Sequence, residues 1–514
     1  MKKLTLIPVI LFLLAQTAFA GGILTNSNQS AQFVRMLSRN ASTQIDAVYF
    51  NPAGLMKMES GFHFAVHNQS VFQTRTIVSN YPYLNNSEYL GDVAAPVFPS
   101  AFAVYKTDNL AFSLGFGPNG GGGSANYKKG LPSFEKDFVN LSSGFARLHP
   151  LFAPYYIDQI TGYDTDISFE GTSVFWGIQL GISAKINDAF SVYGGVRYLP
   201  SANTYTGSIE KIELRTGGGN LAASTYQSIT KPILDGTIAS LATAYGGLNN
   251  AIEAGYIDGN ASVSDPIILH LIGAFSGTPG TNQDAVAFLE GTASGIQILA
   301  NADLSDKEVK TKQTGAGFSP IIGVNISPND KLNIGLKYEF KTTLVLTNET
   351  EVDDTGLFPD KVESNSDLPA ILTAGVEYKF SDKFDASVSY NTYFDKDVDW
   401  GNNTLGQERT IDNNYWELAL GLQYHISDVF TISAGGMRSK TGVSEQYNSD
   451  FSYSNSSITG AVGFEWKASD RLTLDAGVMV TNYESTDKNF GTYTENYDKE
   501  TLGFAVGVSY SIFQ

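Results

Sequence analysis

The chain reads as an all-β transmembrane protein, a fourteen-stranded antiparallel β-barrel of the bacterial outer membrane with helical extracellular loops. Three observations predict this: a turn repeated six times, two-residue alternation on both sides of it, and no mature segment apolar enough for a membrane helix. The turn places an acid, Asp108, Asp188, Asp330, Asp382, Asp428 or Asp470, two residues before a Leu or Phe. Beyond it every second residue is mostly apolar, as in Leu110, Phe112, Leu114 and Phe116, or Phe384, Ala386, Val388 and Tyr390. The intervening positions are small or polar, as in Ser113 and Gly115, or Ser387 and Ser389. Successive strand side chains point to opposite faces, so each strand has an apolar side for lipid and a polar side for a lumen.

Met1-Lys2-Lys3, the apolar run Leu4 to Ala15 and Ala18-Phe19-Ala20 form a secretory signal peptide over residues 1–20. Its removal takes two lysines and no acid, moving the formal charge from -19 to -21. Residues 21–60 lack barrel alternation. Ser27 to Arg39 is a candidate short helix, and Asn51-Pro52-Ala53 follows it. Pro52 forces Asn51 towards extended or turn geometry, and Asn51 can cap the turn that follows. Such a segment is either a periplasmic extension or a plug in the lumen.

The barrel then occupies residues 61–514. Gly61 to Thr76 is the first strand, the six turns join twelve more, and Leu502 to Ile512 lies in the last. Tight turns of such barrels face the periplasm and long loops face outward, so both chain ends are periplasmic. The seven long connections are roughly 77–95, 118–165, 213–306, 351–366, 398–412, 441–454 and 484–499. The third strand, Leu110 to Phe116, runs into Gly117-Pro118-Asn119 and four further glycines. Glycine and proline weaken strand pairing, which marks either the start of a flexible loop or a defect in the wall.

Within the 118–165 insertion, Leu131, Phe134, Phe138, Leu141, Phe145 and Leu148 recur at spacings of three and four, one helical stripe. That stripe must be buried, against the rim and neighbouring loops, against ligand, or both. The 213–306 insertion carries Pro232 with Leu234, Ile238, Leu241 and Tyr245, then the apolar stretches Ile267 to Phe275 and Val286 to Leu299.

With no cysteine, a lipid anchor, a disulfide framework and Cys-based metal sites are excluded. The acidic balance disfavours a nucleic-acid partner, and no nucleotide or hydrolase motif is present. His63 and His67 share one side of a strand, where polar lumen contacts explain them better than a metal pair. No metal or cofactor is expected. Arg197 and Lys337 face inward, where they either neutralise acids such as Glu339 and Glu377 or hold an anionic ligand head. Arg438 faces outward near the rim, within reach of lipid phosphate.

Asn51-Pro52-Ala53 in an N-terminal segment of this length, followed by fourteen strands, resembles the FadL-type outer-membrane transporters of long-chain fatty acids and aromatic hydrocarbons. The resemblance spans essentially the whole mature chain, although the 213–306 insertion exceeds the family's second helical loop. It implies a monomeric, non-enzymatic channel of a Gram-negative outer membrane, assembled by the barrel-assembly machinery and contacting outer-membrane lipids. Hydrophobic ligand would be taken up passively. Residues 21–60 would be a hatch bent at Asn51, Pro52 and Ala53. Phe134, Phe138, Leu141 and Phe145 would receive ligand, Arg197 or Lys337 would meet its head, and Gly115, Gly117 and Pro118 would mark a lateral opening. The alternatives are a loop-based receptor or adhesin, a general porin, and a barrel hydrolase with a Ser or Asp beside a His. A porin needs an open lumen, which a hatch-sized segment argues against.

Overall fold

The computed structural model describes residues 23–400 and 408–513. The signal peptide over 1–20 lies outside the described residues, as do Gly21 and Gly22. One closed antiparallel sheet forms the wall. Its strands are β1 (Gly61–Ser79), β2 (Glu88–Lys106), β3 (Leu110–Tyr127), β4 (Ile160–Asn187), β5 (Phe190–Thr216), β6 (Lys307–Asn329) and β7 (Leu332–Glu339). The second half comprises β8 (Ile371–Ser381), β9 (Phe384–Tyr393), β10 (Tyr415–Ser427), β11 (Phe430–Lys440), β12 (Ser457–Ser469), β13 (Leu472–Tyr483) and β14 (Thr494–Phe513). Closure comes from β1 pairing with β14 from Gly61↔Phe513 to Ser79↔Glu495. Short strands Gly219–Ala222, Val345–Asp353, Glu363–Asn365 and Thr486–Asn489 extend this sheet above the rim.

The alternation read from the sequence is the alternation of the wall. Along β1, Phe62, Phe64, Val66 and Phe72 are exposed, whereas His63, Ala65, His67, Gln69, Gln73 and Arg75 are buried. Large apolar side chains on the outside and polar ones inside invert the soluble pattern and suit a bilayer around the sheet. Closure matters for the same reason, because hydrocarbon offers no partner to an unpaired N–H or C=O. Among the described residues no helix is long and apolar enough to cross a membrane.

Several strands run further than the alternation predicted. β3 continues through the glycine run to Tyr127, with Ser124 opposite Thr172 and Tyr127 opposite Phe169 on β4. The first insertion therefore spans 128–159 rather than 118–165, and the second begins after Thr216 rather than at 213. Above the membrane the outer face need not be apolar, so the pattern fades while the hydrogen-bonded ladder continues.

Residues 23–58 lie inside the barrel, and all from Ile23 to Ser42 are buried. The expected helix over Ser27 to Arg39 is shorter, α1 (Ala31–Met36). Ser30 caps its start, its hydroxyl accepting from Phe33 N, and Leu37 in the left-handed region (φ 62°) ends it. Inward glycines leave room for this segment. A Cβ on Gly335 or Gly435 would fall 2.1 Å from the backbone oxygen of Asn40 or Met36, and one on Gly477 2.7 Å from Arg35 N. Part of the small-residue parity of β7, β11 and β13 is thus the imprint of the segment they enclose.

The imprint makes a prediction. Gly435→Ala should lower the stability of the folded barrel by about 1–3 kcal/mol, the usual cost of overpacking. Gly436→Ala, one residue away on the lipid side with open space around it, should leave it unchanged. Denaturant unfolding of the two variants measures the difference.

Candidate functional site

The lumenal segment is held by buried charge. Arg35 on α1 donates from Nε to Asp475 Oδ1 (2.9 Å), from Nη2 to Glu465 Oε2 (3.0 Å) and from Nη1 to Gln423 Oε1 (2.8 Å). Gln32 donates to Asp475 Oδ2 (2.8 Å) and Gln44 to Glu465 Oε2 (2.9 Å). A second cation folds the segment on itself: Arg39 donates to both oxygens of Asp46 (2.8 and 2.6 Å), which also accept from Ser30 and Ser42. Buried ions persist only when paired in this way.

The Asn51-Pro52-Ala53 bend is tied to three strands. The Asn51 side chain does not cap the following turn. Its amide donates instead to Ser42 O (3.0 Å) and to Asn325 Oδ1 (2.7 Å) on β6, bridging two distant parts of the chain. Pro52 O accepts from Ser183 on β4 and Ala53 O from Ser191 on β5, each at 2.7 Å. Pro52 opens a short 3₁₀ turn, where its missing N–H costs nothing.

Arg197 and Lys337 both face this segment. Arg197 pairs with Glu339, donates to Gln179 Oε1 (2.6 Å), and lies 4.8 Å from the Tyr49 ring centre. Lys337 donates to Tyr49 O (2.8 Å) and lies 4.5 Å from the same ring. Their charges meet Glu339 and Tyr49 rather than open lumen. Arg438 pairs with Glu484 at the rim. His63 contacts Ser511 Oγ (2.8 Å) and Glu59 O (2.9 Å), and His67 packs on Phe102. His425, near the periplasmic end, bridges Asp385 and the register neighbour Thr431. Among the described residues there is no metal-ligating cluster.

The wall itself is broken beside the segment. β2 and β3 pair from Lys106↔Ala111 to Ala101↔Phe116 and again from Ala94↔Ser124 to Gly91↔Tyr127, but not between. Pro96 and Pro99 on β2 have no N–H to offer, and β3 is irregular against β4 at Pro118/Gly120 and Gly121/Gly123. The lumenal segment supplies the missing donors. Asn26 N reaches Asn119 O (2.7 Å), the Asn26 amide reaches Gly121 O (2.7 Å) and Pro118 O (3.2 Å), and the Gln29 amide reaches Pro118 O (2.9 Å). Ser100 on β2 donates to Gln29 O (2.6 Å), so both lips of the break hold one strap. Two glycines make the fit possible: Gly121 is left-handed (φ 66°), and a Cβ on Gly120 would meet Leu24 O at 2.4 Å. Gly115 and Gly117 line the lumenal side of the same lip, facing Val48 and Gln29. Sequence reading did not single out Asn26 or Gln29; the two prolines three residues apart in β2 were the signal pointing to an unpaired lip.

Helices of the two insertions line a groove of about 1060 Å³. Of the insertion helices α2 (Pro132–Arg147), α3 (Ala223–Glu253), α4 (Pro266–Ala274) and α5 (Asn282–Ala300), all but α3 contribute to its lining. Phe138 and Leu141 of α2 face Phe288, Ile298 and Leu299 of α5 across this groove. The predicted stripe is divided. Phe145 is fully buried edge-on against Tyr226 of α3 and does not line the groove. Phe134 turns to the barrel mouth, 5.9 Å from Phe169 and 5.0 Å from Phe451 between ring centres. A small recess under Phe134, lined also by Val309, Leu357 and Phe358, shares Ile209 and Lys307 with the groove.

Fold and site define a fourteen-stranded outer-membrane barrel whose lumen is filled by its own N-terminal segment. No family model and no curated protein sequence matches the chain. Solved structures do. A Pseudomonas aeruginosa FadL homologue aligns at 14% identity and TM-score 0.56, over 95% of this chain and 99% of that one. The P. putida toluene transporter TodX aligns at 14% identity and TM-score 0.53, over 92% and 95%. At such identity the likeness is one of fold.

The Arg35 pairing is testable by removal of the cation alone. Arg35→Met leaves Glu465 and Asp475 buried without it and should cost about 3–5 kcal/mol in denaturant unfolding. Adding Glu465→Gln and Asp475→Asn should recover part of that loss; a single variant as stable as the parent would contradict the pairing.

Proposed function

We propose that the chain is a passive outer-membrane conduit for hydrophobic molecules, such as long-chain fatty acids or aromatic hydrocarbons, which releases them sideways into the membrane. In this reading residues 21–60 are a hatch and residues 61–514 the barrel. Ligand settles in the groove between the two insertions, passes under Phe134 into the barrel mouth, and leaves through the β2–β3 break once the hatch shifts.

The observation that carries the reading is the break in the wall and its strap. A stable sheet edge in lipid would leave carbonyls unsatisfied at high cost. Here the missing donors are side-chain amides on a separate segment, which can be withdrawn and returned without unzipping a ladder. Each methylene moved from water into hydrocarbon is favoured by about 0.8 kcal/mol, so a long apolar ligand gains more by slipping into the bilayer than by crossing to the aqueous periplasm. The solved structures described as a FadL homologue and a toluene transporter support the same class of cargo. A general porin is disfavoured because buried side chains fill the lumen.

If the strap is the closure, weakening it should ease passage. Asn26→Leu combined with Gln29→Leu removes three side-chain hydrogen bonds to β3 and should raise uptake of a hydrophobic dye into cells several-fold, with the barrel still folded. Uptake that is unchanged or slower would count against lateral release through this break.

A further inference from the structure

Arg75 on β1 and Lys499 on β14 are directly opposite each other in the strand pair. Both point into the lumen and both are buried, 3% and 7% exposed. Like charges facing each other across a sheet repel, and a buried charge without a counter-ion is costly. Arg35, Arg39 and Arg197 each meet a carboxylate. Among the described residues, Arg75 and Lys499 form no such ion pair. Asp498 is adjacent in sequence, but it lies on the outward parity and accepts from the Lys499 backbone N–H (2.8 Å).

What surrounds the two cations is neutral acceptors and rings. Arg75 Nε donates to Gln73 Oε1 (3.1 Å), and its guanidinium lies 5.9 Å from the Tyr453 ring centre. Lys499 Nζ donates to Tyr453 O (3.2 Å) and lies 5.1 and 5.0 Å from the rings of Tyr453 and Tyr483. Tyr127 and Tyr483 stand beside Arg75, the Tyr127 hydroxyl against its guanidinium and the Tyr483 hydroxyl against Thr501. A guanidinium, an ammonium and two phenols thus gather with no anion among them. Charge-assisted hydrogen bonds to one carboxylate would compensate both cations.

The neighbourhood is also apolar. Tyr127 and Tyr453 belong to the apolar cluster at the barrel mouth, with Leu131, Phe169, Phe358 and Phe451, against which Phe134 packs. We propose that Arg75 and Lys499 hold the carboxylate of a long-chain acid whose alkyl tail lies along this cluster. The assignment rests on the conduit reading and narrows it, since a site with two unpaired cations favours an amphipathic acid over a neutral hydrocarbon.

Binding of oleate and of its uncharged counterpart oleyl alcohol to the purified, detergent-folded protein separates the possibilities. Arg75→Gln and Lys499→Met should each weaken oleate by about tenfold or more, the loss of one charge-assisted contact, and leave oleyl alcohol unchanged. Lys499→Met without ligand should melt no lower than the parent, because it removes one of two repelling buried charges. Oleate bound equally well by parent and variants would overturn the assignment while leaving the conduit standing. Parallel weakening of both ligands with lowered melting would also overturn it, making the pair part of the wall's packing. A parent protein that binds neither ligand would remove the conduit reading and this inference together.

Discussion

Everything in this molecule depends on satisfying polar groups that neither water nor lipid can reach. The wall turns its apolar side outward, so its lumen collects Gln, Ser, Asn, Asp, Glu, Arg and Lys. Where β2 and β3 part, it also collects backbone carbonyls without partners. One segment answers both needs. Its amides serve the broken ladder and its arginines serve the acids, so the barrel is complete only with its own N-terminal portion inside it.

That arrangement couples distant parts of the wall. Asn26 and Gln29 sit on β3, while Arg35 reaches β10 to β13 across the lumen. The bend at Asn51-Pro52-Ala53 is fastened to β4, β5 and β6, and Tyr49 lies against Arg197 and Lys337. A displacement of the segment therefore acts on the lateral break and on the buried ions at once. Arg39 and Asp46 pair within the segment, which allows it to move as a unit with its internal charges still met.

The strands were legible in the sequence because lipid imposes a strict rule on every second residue, and six acidic turns restart that rule. Strand ends were less legible, since above the membrane Asn126 or Thr172 serves the ladder as well as an apolar residue would. Proline and glycine around Pro118 marked a defect without saying which neighbour it opened to, and the answer lay in Pro96 and Pro99. The inward direction of Arg197 and Lys337 was readable from parity, as was Glu339 on the same face. Tyr49, more than a hundred residues earlier, was not, because its position depends on the path of a segment with no periodicity. Arg75 and Lys499 went unnoticed for a similar reason: their opposition is a property of β1 closing on β14, the longest-range pairing in the chain.

The most direct test pins the lips of the break. Ser100 Cβ lies 3.3 Å from where a Cβ on Gly117 would stand, close to the roughly 3.5–4.5 Å of a disulfide, and the native chain has no cysteine to interfere. The Ser100→Cys/Gly117→Cys protein should take up hydrophobic ligand when reduced, lose most of that uptake when oxidised, and recover it on reduction. Equal uptake in the oxidised and reduced states would show that cargo does not leave between β2 and β3.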